Sequence, residues 1–407
     1  MAKTIAFPKT PKKPAPGTEP VPVIAIGSGL TLNGVIRTLG RAGLPVYCVC
    51  PGDDFVLHSK WYQPPLSGGC DLKPNGLEKF LRGLGFEQAV LIPCSDDWVR
   101  ATITLPSDLA QRFLTSMATT EVVQCMLDKW RFNDLLVRAG IPHPETILLQ
   151  SYEDVQNLPD SYFGDRIFKP ESSLEFAMKH GVKGYLVHGR AEALAIAATI
   201  DYPIMLQEYI PGPPTESYFV DGFVDRHGRV CARFARQRIR MYPPFLGNSS
   251  LTVSISAQQV RDGLVGLERL LAHVNYRGIF SAEFKHDCRD GLFKLLEINA
   301  RPWWYIEFAA RCGVDVCGMA YADALGHSVE PVEHYQTGRS CTFLPYDIHA
   351  CRALNRDNGF RVWQWIESWA GADDALFSRD DIGPGVAFMR HTGQIALRRA
   401  SHWSKAA

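Results

Sequence analysis

The sequence predicts an α/β protein of two or three domains. Three observations carry that reading. The chain opens on an apolar strand, Val21 to Ile26, followed by a Gly-Ser-Gly turn, a helix from about Leu32 to Ala42 and a second strand, Leu44 to Val49, which together make a βαβ unit. Its 407 residues exceed one ordinary domain. Hydrophobic residues make up 46% and charged residues 21%, enough apolar material for sizeable packed cores.

The elements follow in order. Ala89 to Pro93 reads as a third strand, ending in Cys94-Ser95-Asp96-Asp97. Polar residues at the carboxyl end of a parallel strand lie where α/β sheets place ligands, so Asp96 or Asp97 is a candidate substrate contact. Helix capping is an equal alternative, because Ser95 and Asp96 precede Trp98-Val99-Arg100. Lys129 to Ala139 is helical, closed by Gly140 and then Pro142 and Pro144. Thr146 to Gln150 and Asp165 to Lys169 are strands, Ala191 to Ile200 a helix, and Met205 to Tyr209 a strand. Glu216 to Asp225 and Val230 to Gln237 form a hairpin. Ala257 to Val274 is a long amphipathic helix, and Gly318 to Leu325 a further helix. Beyond about Pro331 the strand and helix signals are mixed and carry no assignment.

The βαβ opening invites a dinucleotide-binding reading, which fails at one residue. The G-x-G-x-x-G fingerprint needs glycine at position 32, where this chain has Leu32; Gly34 comes two places late. Other classes fall on composition. The formal net charge is zero and no basic block marks a nucleic-acid surface. The longest apolar runs, such as Ala193 to Ile200, are too short to cross a bilayer. Met1 to Pro20 is rich in Lys and Pro and lacks the apolar core of a signal peptide, so it reads as a flexible leader. Eleven dispersed cysteines, with no C-x-x-C pair, indicate reduced thiols and a cytoplasmic location without structural zinc.

The richest chemistry lies in Ser281 to Trp304, SAEFKHDCRDGLFKLLEINARPWW. It reads as two strands around Arg289-Asp290-Gly291. Alternation puts Glu297, Asn299 and Arg301 on one face. A three-residue loop with Gly291 left-handed pairs Cys288 with Leu292, and that register sets Glu283 opposite Glu297. Like charges directly opposite destabilise a sheet. A divalent cation removes the conflict, and an all-oxygen set of Glu283, Glu297 and Asn299 suits Mg²⁺ or Mn²⁺. A solvated strand face with scattered charge is the competing reading. Lys169 stands in the apolar run Ile167-Phe168-Lys169, where a lysine is costly unless it meets an anion. Arg236, Arg238 and Arg240 alternate along one strand and offer a fork for carboxylate and phosphate oxygens; a solvated sheet face competes, most of all for Arg240.

These residues carry a resemblance. E-x-N-x-R at a strand end, with a Glu on the neighbouring strand, resembles the metal-binding core of the ATP-grasp ligases. LDKWRFNDLLVRAGIPHPET (Leu127 to Thr146) is similar to that family's Lys-bearing helix and its entry into the lid. RIFKP (Arg166 to Pro170) resembles its second lysine strand, and MLQEYIPG (Met205 to Gly212) its adenine hinge. The pieces occur in the family's order over roughly Val21 to Gly326. The resemblance implies an ATP-grasp fold: a flexible leader (1–20), an N-terminal parallel α/β domain (21–118), the Lys-bearing helix with a small lid (119–210), a large mixed-sheet metal-binding subdomain (211–330), and a C-terminal extension of unassigned role (331–407).

It also implies roles. Lys129 and Lys169 would hold the phosphates of ATP, Glu208 would face the adenine amino group, and backbone groups of Tyr209 and Ile210 would lie beside the ring. Glu216 matches the acid that bonds the ribose hydroxyls, with an exposed strand-start carboxylate as an equal alternative. The segment from Glu171 to Gly184 corresponds to the phosphate-covering loop, with Ser172, Ser173, Gly181 and Gly184 in place of several glycines and Lys183 as a supplementary contact. Arg301 and Lys169 would stabilise the transferring phosphoryl group. The pattern is similar to the D-aspartate ligase-like branch and to natural-product carboxylate–amine ligases. One departure follows Arg301, where Pro302-Trp303-Trp304-Tyr305 replaces the small residues of relatives. Trp303, Trp304 and Tyr305 would line the acceptor pocket with Arg236 and Arg238, which disfavours aspartate as substrate and favours a ring-bearing or bulky one, while core packing of one of the two Trp residues is expected in either case.

The expected protein is thus an ADP-forming ligase that uses ATP and Mg²⁺ (or Mn²⁺) to join a small-molecule carboxylic acid to an amine through an acyl phosphate. Its partners are those substrates rather than nucleic acid or membrane, and a homodimer is the candidate assembly. Two other classes stay open. A kinase would yield ADP and a stable phosphorylated product without an amine. A non-catalytic nucleotide-binding partner would not need the Glu-Glu-Asn set.

Overall fold

A computed structural model describes residues 19–65, 71–171, 173–358 and 362–392. The leader up to residue 18, Ser172 of the expected phosphate loop and the chain beyond 392 lie outside the described residues. Three sheets organise the chain.

The first is parallel, with β1 (Val23–Ile26), β2 (Val46–Val49), β3 (Ala89–Pro93) and β4 (Phe113–Leu114) in the order β2-β1-β3-β4. All four residues of β1 are buried, as befits a strand covered on both faces. The helix Gly29–Arg41 follows it. This sheet reverses direction of growth at β1, so the carboxyl ends of β1 and β3 flank its switch point.

The second sheet is antiparallel and small: β5 (Thr146–Leu149), β6 (Arg166–Lys169), β7 (Tyr185–Val187) and β8 (Ile204–Glu208), in the order β5-β8-β6-β7. It closes its own apolar core around Leu149, Phe168, Val187 and Leu206. The Lys-bearing helix Lys129–Ala139 leads into it. Asp128 caps that helix by accepting from the backbone N–H groups of Trp130 and Arg131, and Gly140 ends it in the left-handed conformation. Phe132, Leu135 and Leu136 of this helix pack on the large sheet rather than on the lid. The small sheet itself begins at Thr146.

The third sheet is mixed and holds β9 (Ser217–Val224), β10 (Val230–Tyr242), β11 (Asn248–Ser254), β12 (Gly278–Asp287), β13 (Leu292–Asn299), β14 (Ser340–Thr342) and β15 (Asp373–Asp374), in the order β13-β12-β9-β10-β11-β14-β15. The helix Arg261–His273 covers one face, contributing Leu267, Leu270 and Leu271 to the core. The unassigned C-terminal extension supplies β14 and β15, so it completes this sheet. Another core joins the first helix, the 303–321 segment and Leu376 of the extension. Buried Arg37 fixes that junction: its Nε donates to Asp381 at 2.8 Å and its Nη2 to the Leu376 carbonyl at 2.9 Å.

The β12–β13 turn differs from expectation by one residue. Asp287, not Cys288, pairs with Leu292, leaving a four-residue connection in which Gly291 is left-handed. A register shift between Glu283 and Phe284 then leaves Leu296 as an extra residue on β13, and Glu283 still faces Glu297. Asp287 selects the longer turn: its carboxylate accepts from the N–H and guanidinium of Arg289 and from Lys294. Among the described residues no helix is long and apolar enough to cross a membrane.

Candidate active site

Register builds the acidic end of the site. Ser281 pairs with Asn299 and Glu283 with Glu297; on the other side of β12, Ser281 faces Asp221 and Glu283 faces Phe219. Directly paired residues share a face, so Glu283, Glu297 and Asn299 converge. Asn299 Nδ2 donates to Glu297 at 3.2 Å, which leaves the Asn299 carbonyl oxygen to accept from Arg301 at 3.1 Å. Glu283 accepts from Arg238 at 3.0 Å. Among the described residues no group of three or more His, Cys, Asp and Glu side chains is arranged to hold a metal. A cation here would rest on two carboxylates and an amide oxygen. That hard-donor set fits Mg²⁺ or Mn²⁺, which take one or two protein carboxylates and fill their remaining positions with phosphate oxygens and water.

The cationic end comes from two other elements. Lys129 opens its helix and donates to the Pro170 carbonyl at 2.8 Å; Lys169 ends β6 and donates to Gln207 at 3.4 Å. Both line one cleft with Asp96, Met205, Gln207, Glu297 and Asn299, between the lid and the large sheet. Burial, followed by the neighbouring Lys169 charge, pushes the Lys129 ammonium down to about 8. The cleft thus sets two lysine side chains beside the acidic cluster.

The expected adenine end is tied down by charge. The Glu208 carboxylate accepts from Arg289 and from the Glu145 N–H at 3.2 Å, and Lys294 lies 3.7 Å away. It links β8 of the lid to the β12–β13 hairpin. Tyr209 donates its N–H to the Asp165 carbonyl at 3.0 Å and Ile210 is buried, so the hinge backbone is fixed. Glu216 contacts His286 Nδ1 at 2.8 Å. Buried Lys285 donates to the carbonyls of Gly212 and Pro213, pinning the segment after the hinge. Lys183 is exposed in the turn before β7 and is not among the residues lining the cleft.

The arginine fork divides into three separate pairings. Arg236 is 4% exposed, donates to fully buried Asp221 at 2.7 Å, and lies 3.7 Å over the Phe219 ring. It braces the sheet. Arg238 reaches Glu283 and Ser249, so it touches the acidic cluster. A register shift after Arg238 turns Arg240 toward Asp347 of the C-terminal extension. Asp347 is itself buried and also accepts from Ser250 and Trp369.

The aromatic run is mostly core. Trp303 and Tyr305 are 4% and 3% exposed. The Tyr305 hydroxyl donates to the Ser249 carbonyl at 2.6 Å, and burial pushes its phenol well up. Trp304 is half-buried, with its ring edge-on to Phe343 and Tyr346 of the extension, both centroids at 5.8 Å. Two of the three rings expected to line an acceptor pocket thus pack the interior, and the third meets the extension. Trp303 and Tyr305 therefore form no pocket wall against a small acid.

No protein-family model matches the chain. Solved structures do. An L-amino acid ligase from Bacillus licheniformis aligns with TM-score 0.57 at 12% identity, covering 79% of each chain. The biotin carboxylase domain of 2-oxoglutarate carboxylase from Hydrogenobacter thermophilus, solved with magnesium ADP and bicarbonate, aligns with TM-score 0.58 at 15% identity over 78% of this chain and 72% of that one. The three-part architecture decides the fold. This is an ATP-grasp fold. In sequence, the D-aspartate ligase of Enterococcus faecium (strain Aus0004) is 22% identical over 341 residues, covering 78% of this chain and 80% of the relative.

The ATP-grasp cleft also contains residues that the motif does not name. Asp96, left open in the sequence between a cap and a substrate contact, grips Arg301: Nε donates at 2.6 Å and Nη2 at 3.3 Å. Its place at the end of β3 was the signal. His143 and Gln207 line the cleft as well. Arg289 and Lys294 had no signal, because hairpin charges gain meaning only once the lid folds over them.

Proposed function

We propose that this protein is an ATP-dependent, ADP-forming ligase that joins a carboxylic acid to an amine. One observation carries the reading. Lys129, Lys169, Glu297, Asn299 and Asp96 line a single cleft, and Arg301 bridges Asn299 to Asp96. Cations for phosphate oxygens and hard donors for a divalent ion thus meet at one point.

Each residue then has a task. Lys129 and Lys169 hold the phosphates. Arg301 faces the γ-phosphoryl group as it transfers. Glu283, Glu297 and Asn299 would hold Mg²⁺, which when bound neutralises phosphate charge. Arg238 keeps Glu283 oriented. The acid's carboxylate oxygen forms a bond to the γ-phosphorus, and the bond to ADP breaks. The amine nitrogen then bonds the acyl carbon, and phosphate leaves with the electron pair of the broken C–O bond. The acyl phosphate is sensitive to water, which gives the lid its purpose. Glu208, tied to Arg289, anchors that lid at the hinge. No side-chain nucleophile is needed; positioning and electrostatics suffice. The sequence relative named D-aspartate ligase and the structural relative named L-amino acid ligase favour amino acids as substrates.

The test is a screen of the twenty standard amino acids and D-aspartate, each offered as acid and as amine, with ADP release as readout. An active acid labelled with ¹⁸O in its carboxylate should transfer one label to phosphate. AMP and pyrophosphate as products, or unlabelled phosphate, would refute the acyl-phosphate route. A stable phosphorylated product formed without amine would instead identify a kinase.

A further inference from the structure

We infer that Asp96 is the recognition residue for the amine substrate, contributed by the N-terminal domain to a cleft otherwise built by the lid and the large sheet. The inference rests on the ligase reading and adds to it the charge that the second substrate must carry.

The cleft is strongly cationic at its reacting end. Lys129, Lys169 and Arg301 serve anions, yet an amine arrives as an ammonium ion and needs a carboxylate. Two carboxylates line this cleft, Glu297 and Asp96. Glu297 is bonded to Asn299 and stands opposite Glu283, inside the hard-donor set. Asp96 lies on the other side of Arg301, with its side chain 46% exposed against 20% for the arginine. Both of its oxygens accept from Arg301, yet its half-exposed carboxylate keeps lone pairs that an ammonium can reach. Its position has an independent warrant. Asp96 follows β3, whose carboxyl end flanks the switch point of the first sheet, the place where such sheets hold ligands.

Arg301 sets the geometry between the two substrates. One guanidinium contacts both Asn299 and Asp96. An acyl phosphate held at Arg301 and an ammonium held at Asp96 are then neighbours across that single side chain. The reaction balances: the ammonium gives up one proton to solvent water to become the nucleophile, its lone pair forms the C–N bond, the C–O bond to phosphate breaks, and the second nitrogen proton leaves with phosphate.

The test is Asp96→Asn, assayed with the pair found active in the amino-acid screen and, separately, with the acid and hydroxylamine, a neutral nucleophile that traps acyl phosphate as hydroxamate. The expected result is a KM for the amine raised at least ~30-fold, as for loss of a charge pair at a binding site, with a clearly smaller loss in hydroxamate formation, which reads only the contact of Asp96 with Arg301. Asp96→Glu should recover part of the amine affinity. A wild-type KM for the amine overturns the assignment, and so does a fall in hydroxamate formation without a change in that KM, since Asp96 would then merely hold Arg301. If no acid in the screen gives ADP, the ligase reading itself fails and this inference with it.

Discussion

Glu283 and Glu297 stand directly opposite each other on adjacent strands, although the turn that joins those strands is one residue longer than the simplest hairpin. Leu296 absorbs the difference as a bulge. A one-residue slip reverses the facing of every later side chain in a strand. Without the bulge, Glu297 and Asn299 would turn away from the cleft. The bulge therefore aims the candidate metal donors, a recurrent use of bulges beside active sites.

Glu297→Gln should fold normally and lower ADP formation by at least ~100-fold, the scale of losing one preorganised electrostatic contact. The Mg²⁺ concentration needed for half-maximal rate should rise. Wild-type turnover at limiting Mg²⁺ would remove Glu297 from the donor set.

Lys129 should make nucleotide binding depend on pH. Its ammonium titrates at about 8 in the folded protein, below the ordinary lysine value, chiefly through burial. Below that pH it is charged and suited to phosphate; above it, affinity for ATP should fall. Calorimetry in buffers of different ionisation enthalpy should show proton uptake on ATP binding between about pH 8 and 9, lost in Lys129→Met. For stability the sign is reversed from the usual lysine pair. Between about 8 and the unfolded lysine value the unfolded chain binds the extra proton, so Lys129 destabilises the empty protein at neutral pH and the penalty lifts as pH rises.

Asp287 should govern acid stability of the hairpin. Arg289 first, and then Lys294, hold its carboxyl well below the usual carboxylate range despite burial. A depressed folded value gives stability that is present above the unfolded carboxylate value and lost as pH falls toward the folded one. Asp287→Asn should cost about 1–3 kcal/mol at pH 7, typical of hydrogen bonds to charged partners. The difference from wild type should shrink below about pH 4. Urea unfolding at pH 7 and pH 3 checks this; an equal deficit at both would show that the carboxylate charge is irrelevant.

Trp304 should act on stability before substrate choice. Trp304→Ala removes its edge contacts with Phe343 and Tyr346 and loosens the extension from the large domain. A fall in thermal midpoint with KM for ATP, acid and amine unchanged is expected. A changed substrate range at unchanged stability would restore Trp304 to the acceptor pocket.

The sequence alone determined the parts whose information is local. The βαβ opening, the helix from Lys129 closed by Gly140, and the polar cluster at Glu297, Asn299 and Arg301 were legible because periodicity, caps and strand alternation act over a few residues. The lysines could be named because their motif order is linear. Tertiary structure decided what charge on charge would do. Arg236 looked equivalent to Arg238 along the strand and Arg240 looked the most solvated of the three, yet Asp221, Glu283 and Asp347 divide them among a buried brace, the site itself and a contact to the extension. Trp303 and Tyr305 looked like a pocket wall and became core, since burial depends on the N-terminal helix and the extension that close over them. Asp96 reached Arg301 across more than two hundred residues of chain. An ion pair is worth little until its partners are brought together and shielded from water, so its meaning resides in the fold and not in the local sequence.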